Sequence, residues 1–260
     1  MSKRIFTAMP CYSGQVGVHT TQSLLCAQHE AAKRGWEMSP YNFYARQGDA
    51  DVSCARNVLM QKFRSTDCTD LFYVDSDVSW APGDFEQLFS HDVDFVGGIY
   101  RQKSDDVESY SVEWPEKREL RTDPGSGKSI LAVKTMAGGM WRLSRACVEK
   151  MVENEPSYFF DKDLPDVKIP WVFEFFIDKP NHIRRSEDVN FCNVWHKLGG
   201  KIWVDPLLRV DHTGSKVYKG FLLEALRRES LIAQAAAKAI IPGQRTVLEM
   251  AKDQLAGQAS

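Results

Sequence analysis

The chain has 260 residues, 43% of them hydrophobic and 26% charged, with a formal net charge of −2. That balance suits one large globular domain, or a core with small appendages, and argues against disorder, coiled coil and a surface coated for nucleic acid. The six cysteines make no C-x-x-C pair, Lys3-Arg4 opens no signal-peptide core and no stretch reaches membrane-span length, so the expectation is a cytoplasmic protein without membrane insertion or a structural zinc site.

Strand-like runs at 5–9, 41–45, 71–74 and 94–96 alternate with helical patterns at 20–34 and 52–63. Thr20 or Thr21 stands as cap of the first helix and Gly35 as its stop. The second helix carries Val52, Ala55, Leu59 and Phe63 on one face. Such alternation predicts an α/β fold with a mostly parallel central sheet flanked by helices, and ligands at the carboxyl ends of its strands. Beyond residue 110 the pattern changes. Runs at 110–114 and 130–134 flank the turn-rich Pro124-Gly125-Ser126-Gly127, which predicts a small antiparallel β element.

Helical patterns follow at 144–151 and 187–198, the latter stopped by Gly199-Gly200, then a short strand at 201–204. From Lys179 through Arg228 ten Lys/Arg face five Asp/Glu, a local positive excess that suits a diphosphate as readily as a polynucleotide. A helix at 221–239 precedes a break at Pro242-Gly243 and a last weak helix. The predicted organisation is one domain over residues 1–220 and a C-terminal helical extension over 221–260.

D-x-D occurs four times, at Asp49/Asp51, Asp75/Asp77, Asp92/Asp94 and Asp161/Asp163. Asp75-Ser76-Asp77 directly follows the four-residue apolar strand-like run Leu71-Phe72-Tyr73-Val74, which sets it apart from the other three. Extended backbone there sends both carboxylates to one side, at the edge of the sheet. Paired carboxylates repel unless a cation lies between them, and a hard divalent ion, Mn2+ or Mg2+, suits oxygen ligands and a diphosphate. Gly127-Lys128-Ser129 mimics the end of a P-loop, but Thr122 stands where that motif needs glycine, so a hairpin turn is expected.

Three further features each admit two readings. Arg56 lies on or beside the buried stripe of its helix, so its guanidinium needs an anion, either a protein carboxylate or the phosphate or base edge of a ligand. Glu187 and Asp188 follow Ser186 at a helix start, where acids favour the helix dipole; one of them can also deprotonate a hydroxyl. His212 is a strand-end side chain bonded to backbone, or a metal ligand through neutral imidazole.

In order, Ala55-Arg56-Asn57, Asp75-Ser76-Asp77 with Trp80-Ala81-Pro82, Val96-Gly97-Gly98-Ile99-Tyr100, Ala137-Gly138-Gly139-Met140, Ser186-Glu187-Asp188, Gly199-Gly200-Lys201 through Pro206, and His212-Thr213-Gly214 resemble a GT-A fold glycosyltransferase. The resemblance is to the short, soluble, family-two-like enzymes of bacteria and bacteriophages, and it spans roughly residues 4 to 220. It implies Asp77 and His212 as metal ligands, with Asp75 assisting the metal or binding ribose. Pro10 and Tyr12 would hold the nucleoside, Arg56 and Ser76 would face the donor, and Lys216 would close over the diphosphate. Gly138 and Gly139, with Trp141 beside them, would admit the acceptor, and Asp188, or its neighbour Glu187, would be the catalytic base of an inverting transfer.

The expected partners are a nucleotide-sugar donor, uridine-linked by expectation, and a hydroxyl acceptor. Hydroxymethylated bases of viral DNA stand among the acceptors beside a surface glycan, a lipid carrier and a protein. A sugar nucleotidyltransferase is the second enzyme reading, although the Gly-rich basic loop expected after its first strand is missing. A non-catalytic nucleotide- or carbohydrate-binding module is the third.

Overall fold

The computed structural model describes residues 2–239, with the side chains of the last helix described through Leu231. Of the described residues, 2–222 form one compact unit and those from Leu223 onward belong to a second. The expected break at Pro242-Gly243 and the helix after it lie outside the described residues. Among the described residues no helix is long and apolar enough to cross a membrane.

An eight-stranded sheet organises the first unit. Ile5–Pro10 lies between Phe43–Arg46 and Asp70–Val74, parallel to both. Beyond Asp70–Val74 come Met140–Ser144 (antiparallel), Phe95–Gly97, Ile202–Val204, Ser129–Val133 and Leu120–Thr122. Following these pairings, only Met140–Ser144 and Ser129–Val133 run against the rest, so the large sheet is mostly parallel in strand direction. Parallel neighbours need crossovers, and α1 (Val18–Lys33) and α2 (Val52–Arg64) supply the first two.

Both faces of the sheet are covered, which is why Asp70–Val74 is buried at all five positions. Side chains alternate between two cores. Phe72 turns to one face, where its ring meets those of Trp80, Phe85 and Phe89, the last two on α3 (Asp84–Ser90). Tyr73 turns to the other and meets Phe173. On that second face Phe95, Trp141 and Phe191 pack together at centroid distances of 4.8 to 5.7 Å, beside α4 (Arg145–Glu153) and α5 (Glu187–Lys197).

Several boundaries differ from the sequence pattern. The first helix starts at Val18 behind Gly17, not at Thr20 or Thr21, because the Gly17 amide is held by the Ser76 carbonyl at 2.9 Å. Its end is as expected, with Gly35 at φ 66°. Residues 40–42 form a 3-10 turn ahead of the strand Phe43–Arg46. Met140–Ser144 was not foreseen as a strand, since Arg142 interrupts its apolar run. That guanidinium is 5% exposed and is matched inside the protein by Asp70 and the Val93 carbonyl.

A hairpin that ends the large sheet, and small antiparallel sheets beside it, complete the architecture. Leu120–Thr122 and Ser129–Val133 make the hairpin expected around Gly127. Val210–Thr213 lies between Val78–Trp80 and Val217–Tyr218, and Tyr158–Asp161 pairs with Leu164–Pro170.

Candidate functional site

Asp75 follows the last residue of Asp70–Val74 and emerges at the carboxyl edge of the sheet, its amide donating to the Gly139 carbonyl at 3.1 Å. The chain turns at once, Val78 donating to the Asp75 carbonyl at 3.2 Å, and Val78–Trp80 pairs with Val210–Thr213. In that register His212 is opposite Val78. The pairing brings two residues 135 positions apart to one place: His212 Nε2 is 3.6 Å from Asp77 Oδ1, and the Thr213 amide donates to the Asp77 carbonyl at 2.8 Å. The other ring nitrogen of His212, Nδ1, faces the Arg101 carbonyl at 3.3 Å. A proton on Nδ1 leaves the Nε2 lone pair directed toward Asp77, the arrangement a cation ligand requires.

Arg56 is 3% exposed and its partner is now plain. Nε donates to Glu187 at 3.1 Å, one terminal nitrogen to Asp75 at 3.0 Å and the other to the Gly138 carbonyl at 3.0 Å, while the Tyr73 and Phe173 rings flank the guanidinium. Of the two sequence readings, the protein carboxylate is the one seen: all three nitrogens have a partner within the protein. Asn57, beside it, accepts from the Val172 and Phe173 amides and donates to the Ser53 and Phe173 carbonyls. Asn57 thereby fastens α2 to the segment that walls Arg56.

Glu187 is 5% exposed and bonded to Arg56, the protein-held arrangement of its two sequence readings. Asp188, one residue on, has its Oδ2 within 3.2 Å of the Gly138 amide and its Oδ1 at the Ser186 hydroxyl and the Val189 amide. Gly138 and Gly139 carry no side chain for a steric reason. A methyl group at 138 would stand 2.9 Å from the Arg56 guanidinium, and one at 139 would stand 2.4 Å from Tyr100 Cε1 and 3.1 Å from Asp75 Oδ2. Tyr100, only 8% exposed, packs its ring against that of His212, with centroids 4.5 Å apart and planes tilted by 57°. Sequence reasoning quoted it within a motif and assigned it no role.

The pocket holds more negative than positive charge. Asp75, Asp77, Glu187 and Asp188 face two cations, the buried Arg56 and the half-exposed Lys103, the latter 2.5 Å from Asp77 Oδ2. Burial, with Asp77 and Asp188 adding like charge, holds Asp75 above the usual carboxylate range despite Arg56. Burial likewise raises Glu187, partly offset by Arg56. Asp77 is also penalised by burial, but its contacts with His212 and Lys103 more than offset that and leave it below the usual range. An oxygen and imidazole donor set with uncompensated negative charge, and an ammonium already drawn to Asp77, fits a divalent cation.

The other expected residues are placed as follows. Pro10 ends its strand, and the loop after it is pinned by Cys11 to the Arg46 carbonyl and by Gly17 to the Ser76 carbonyl. Tyr12 in that loop is 68% exposed. Trp141 is fully buried, between Phe95 and Phe191. It is a core residue, not a substrate contact. Lys216 is exposed and lies 2.5 Å from Asp105. Within the positive stretch, Arg185, Lys201 and Lys216 pair with Glu113, Glu119 and Asp105, so acids from elsewhere reduce the local excess.

The remaining D-x-D pairs have structural partners. Asp51 caps α2, and Asp94 accepts from Ser144 at 2.6 Å. Asp49, Asp161 and Asp163 surround Arg46, which is 6% exposed. Asp49 and Asp161, with Cys54, bring three potential ligand atoms within 4.8 Å of one another. Arg46 already supplies a cation there, and burial together with Asp49 pushes the Cys54 thiol up to about 12.

A scan of the sequence against known protein families gives no match, and a search among curated proteins gives none either. Among solved structures the chain is similar to A197 from STIV, at 18% identity and a TM-score of 0.47, over 82% of this chain and 86% of that one. GalNAc-T7, solved with UDP, GalNAc and Mn2+, is similar at 14% identity and 0.46, over 82% of this chain and 44% of the other. The inositol-1-phosphate CTP transferase from T. maritima follows at 8% and 0.37, over 78% and 84%.

Proposed function

We propose that the chain is a metal-dependent, inverting glycosyltransferase of the GT-A type, moving a sugar from a nucleotide donor to a hydroxyl acceptor. The observation that carries this reading is the meeting of Asp75, Asp77, His212 and Asp188 near Gly138-Gly139, at the carboxyl edge of the central sheet, in a cluster with surplus negative charge. Ligands of open α/β sheets bind at that edge.

Asp77 and His212 would hold the divalent ion, Mn2+ or Mg2+, with Asp75 beside them, and the ion when bound supplies positive charge to the departing diphosphate. Everything else falls to the chain itself. Asp188, held at Gly138 and at the start of α5, is the base that takes the proton of the acceptor hydroxyl as its oxygen attacks the anomeric carbon. Direct attack from the face opposite the leaving group inverts that carbon. Arg56 touches no substrate in this scheme; it positions Asp75, Glu187 and the Gly138 carbonyl against one another. Gly138 and Gly139 let Arg56, Tyr100 and Asp75 pack directly against this segment, which the acceptor would approach beside Asp188. Pro10, Tyr12 and Ser76 line the approach to the first and third strands, where the nucleoside would lie, and the family resemblance favours a uridine-linked donor.

A screen of nucleotide sugars with Mn2+, reading release of nucleoside diphosphate, tests the reading. Acceptors follow, hydroxymethylated DNA included. Asp77→Ala is expected to abolish metal-stimulated donor binding. Release of pyrophosphate from a nucleoside triphosphate would instead identify a nucleotidyltransferase, and donor binding that is tight without metal would remove Asp77 from its role.

A further inference from the structure

Lys103 belongs to none of the motifs legible in the sequence. It lies in the stretch between Phe95–Gly97 and the short strand Val112–Glu113, and its ammonium is 2.5 Å from Asp77 Oδ2. The same carboxylate presents Oδ1 to His212 at 3.6 Å. Lys103 therefore stands on the carboxylate that the proposed ion would need. The lysine stem runs along Gly214, where a methyl group would come within 3.0 Å of Lys103 Cδ. Two residues on, Asp105 meets Lys216 at 2.5 Å. The loop is thus joined to the segment after His212 by its acid and to Asp77 by its base.

An ammonium and a divalent ion compete for the same oxygen. Each neutralises Asp77, and both together on one carboxylate repel. The pair is no buried fixture: its side chains are 35% and 39% exposed. Exposed pairs of this kind are weak and exchange readily. Lysine suits such exchange, being a compact charge on a flexible stem, whereas Arg56 is gripped on every nitrogen. Diphosphate oxygens bound to an ion at Asp77 would lie within a few ångströms of the displaced ammonium, and they are its strongest available acceptors.

We propose that Lys103 is a donor-binding residue of this site. It holds the place of the ion on Asp77 in the free protein and passes to the diphosphate when the ion and nucleotide enter. The proposal rests on the glycosyltransferase reading above. It predicts opposite effects on two affinities when the charge is removed, which a merely structural surface contact would not produce.

The test is calorimetric titration of the full chain with Mn2+ alone, and then with UDP at saturating Mn2+, for the wild type, Lys103→Met and Asp77→Asn. Removing a competitor worth an exposed ion pair should make Mn2+ bind about threefold more tightly to Lys103→Met. Losing one charge-assisted contact should weaken UDP about tenfold. Both shifts are required, and any other combination overturns the role of Lys103. The Asp77→Asn arm separates the two claims. If the wild type binds no Mn2+, or Asp77→Asn retains it, the metal reading falls and the inference with it. If Asp77→Asn loses Mn2+ while Lys103→Met matches the wild type, only the inference falls. A melting temperature close to that of the wild type shows that the exposed substitution has left the fold intact.

Discussion

Asp188 accepts a hydrogen bond from the Gly138 amide at 3.2 Å, although the two residues are 50 positions apart. The carbonyl of the same glycine accepts from Arg56 at 3.0 Å. One peptide segment therefore ties the start of α5 to α2, and the carboxylate proposed as base takes its position from two backbone amides, those of Gly138 and Val189, and from the Ser186 hydroxyl. Preorganisation of this kind is what a proton acceptor needs, since small displacements are costly in rate.

Replacing that carboxylate should separate binding from chemistry. Asp188→Asn keeps an oxygen for the Gly138 amide and is expected to leave UDP and Mn2+ affinities within about twofold of the wild type. Transfer should fall by about 10²- to 10⁴-fold, the usual contribution of a general base. Steady-state rates alongside titration measure both. Undiminished turnover would move the base elsewhere.

Arg56 should matter first for stability. Arg56→Met leaves Asp75 and Glu187 unpaired in a site where the arginine is 3% exposed, and breaking a buried pair in this way costs about 3 to 5 kcal/mol. Arg56→Lys should recover only part of that, because a single ammonium cannot reproduce three directed contacts. Denaturant unfolding gives both numbers, and a loss below about 1 kcal/mol would contradict the packing described here.

Gly139→Ala tests the closeness of the pocket wall. The added methyl would sit 2.4 Å from Tyr100 Cε1, and overpacking of this severity costs about 1 to 3 kcal/mol. Combining it with Tyr100→Leu should recover part of the loss, giving a non-additive pair. Thermal unfolding of the two single variants and the double variant measures the coupling, and simple additivity would count against the contact.

A pH dependence follows from Asp84, in the first turn of α3. Burial raises its carboxyl to about 6, despite hydrogen bonds from backbone, and Asp205 adds like charge. A carboxyl that is more basic in the folded state favours folding at low pH. That contribution is whole below the unfolded value, near 3.9, and is lost as pH rises through about 6. Asp84→Asn removes the dependence. The wild type should therefore lose about 1 kcal/mol relative to Asp84→Asn between pH 4 and pH 7.5, after allowance for solvent screening. Unfolding curves at the two pH values check the sign, and a constant difference would refute it.

Part of this architecture is legible from local chemistry alone. The apolar run ending at Val74 marks a strand covered on both faces, and so marks Asp75 and Asp77 as residues of a sheet edge. Helix stops at Gly35 and Gly199 follow from their left-handed backbone, φ 66° and 82°. Where a polar residue is matched by a distant partner the pattern is broken: Arg142 hides the strand Met140–Ser144, because Asp70 lies 72 positions away.

The site divides along the same line. Residue type and order within the chain, with the family resemblance, name Asp75, Asp77, Asp188, His212 and the glycine pair as candidates, although His212 and the acids at 187 and 188 each admit a structural reading as well. Only tertiary structure separates Glu187 from Asp188, by burying one against Arg56 and leaving the other at Gly138. It alone sends Trp141 into the core and sets Arg46 among Asp49, Asp161 and Asp163. It alone places Lys103 on Asp77. The reason is physical: periodicity and capping act over a few residues, whereas the partner of a buried charge is chosen by how the chain closes on itself.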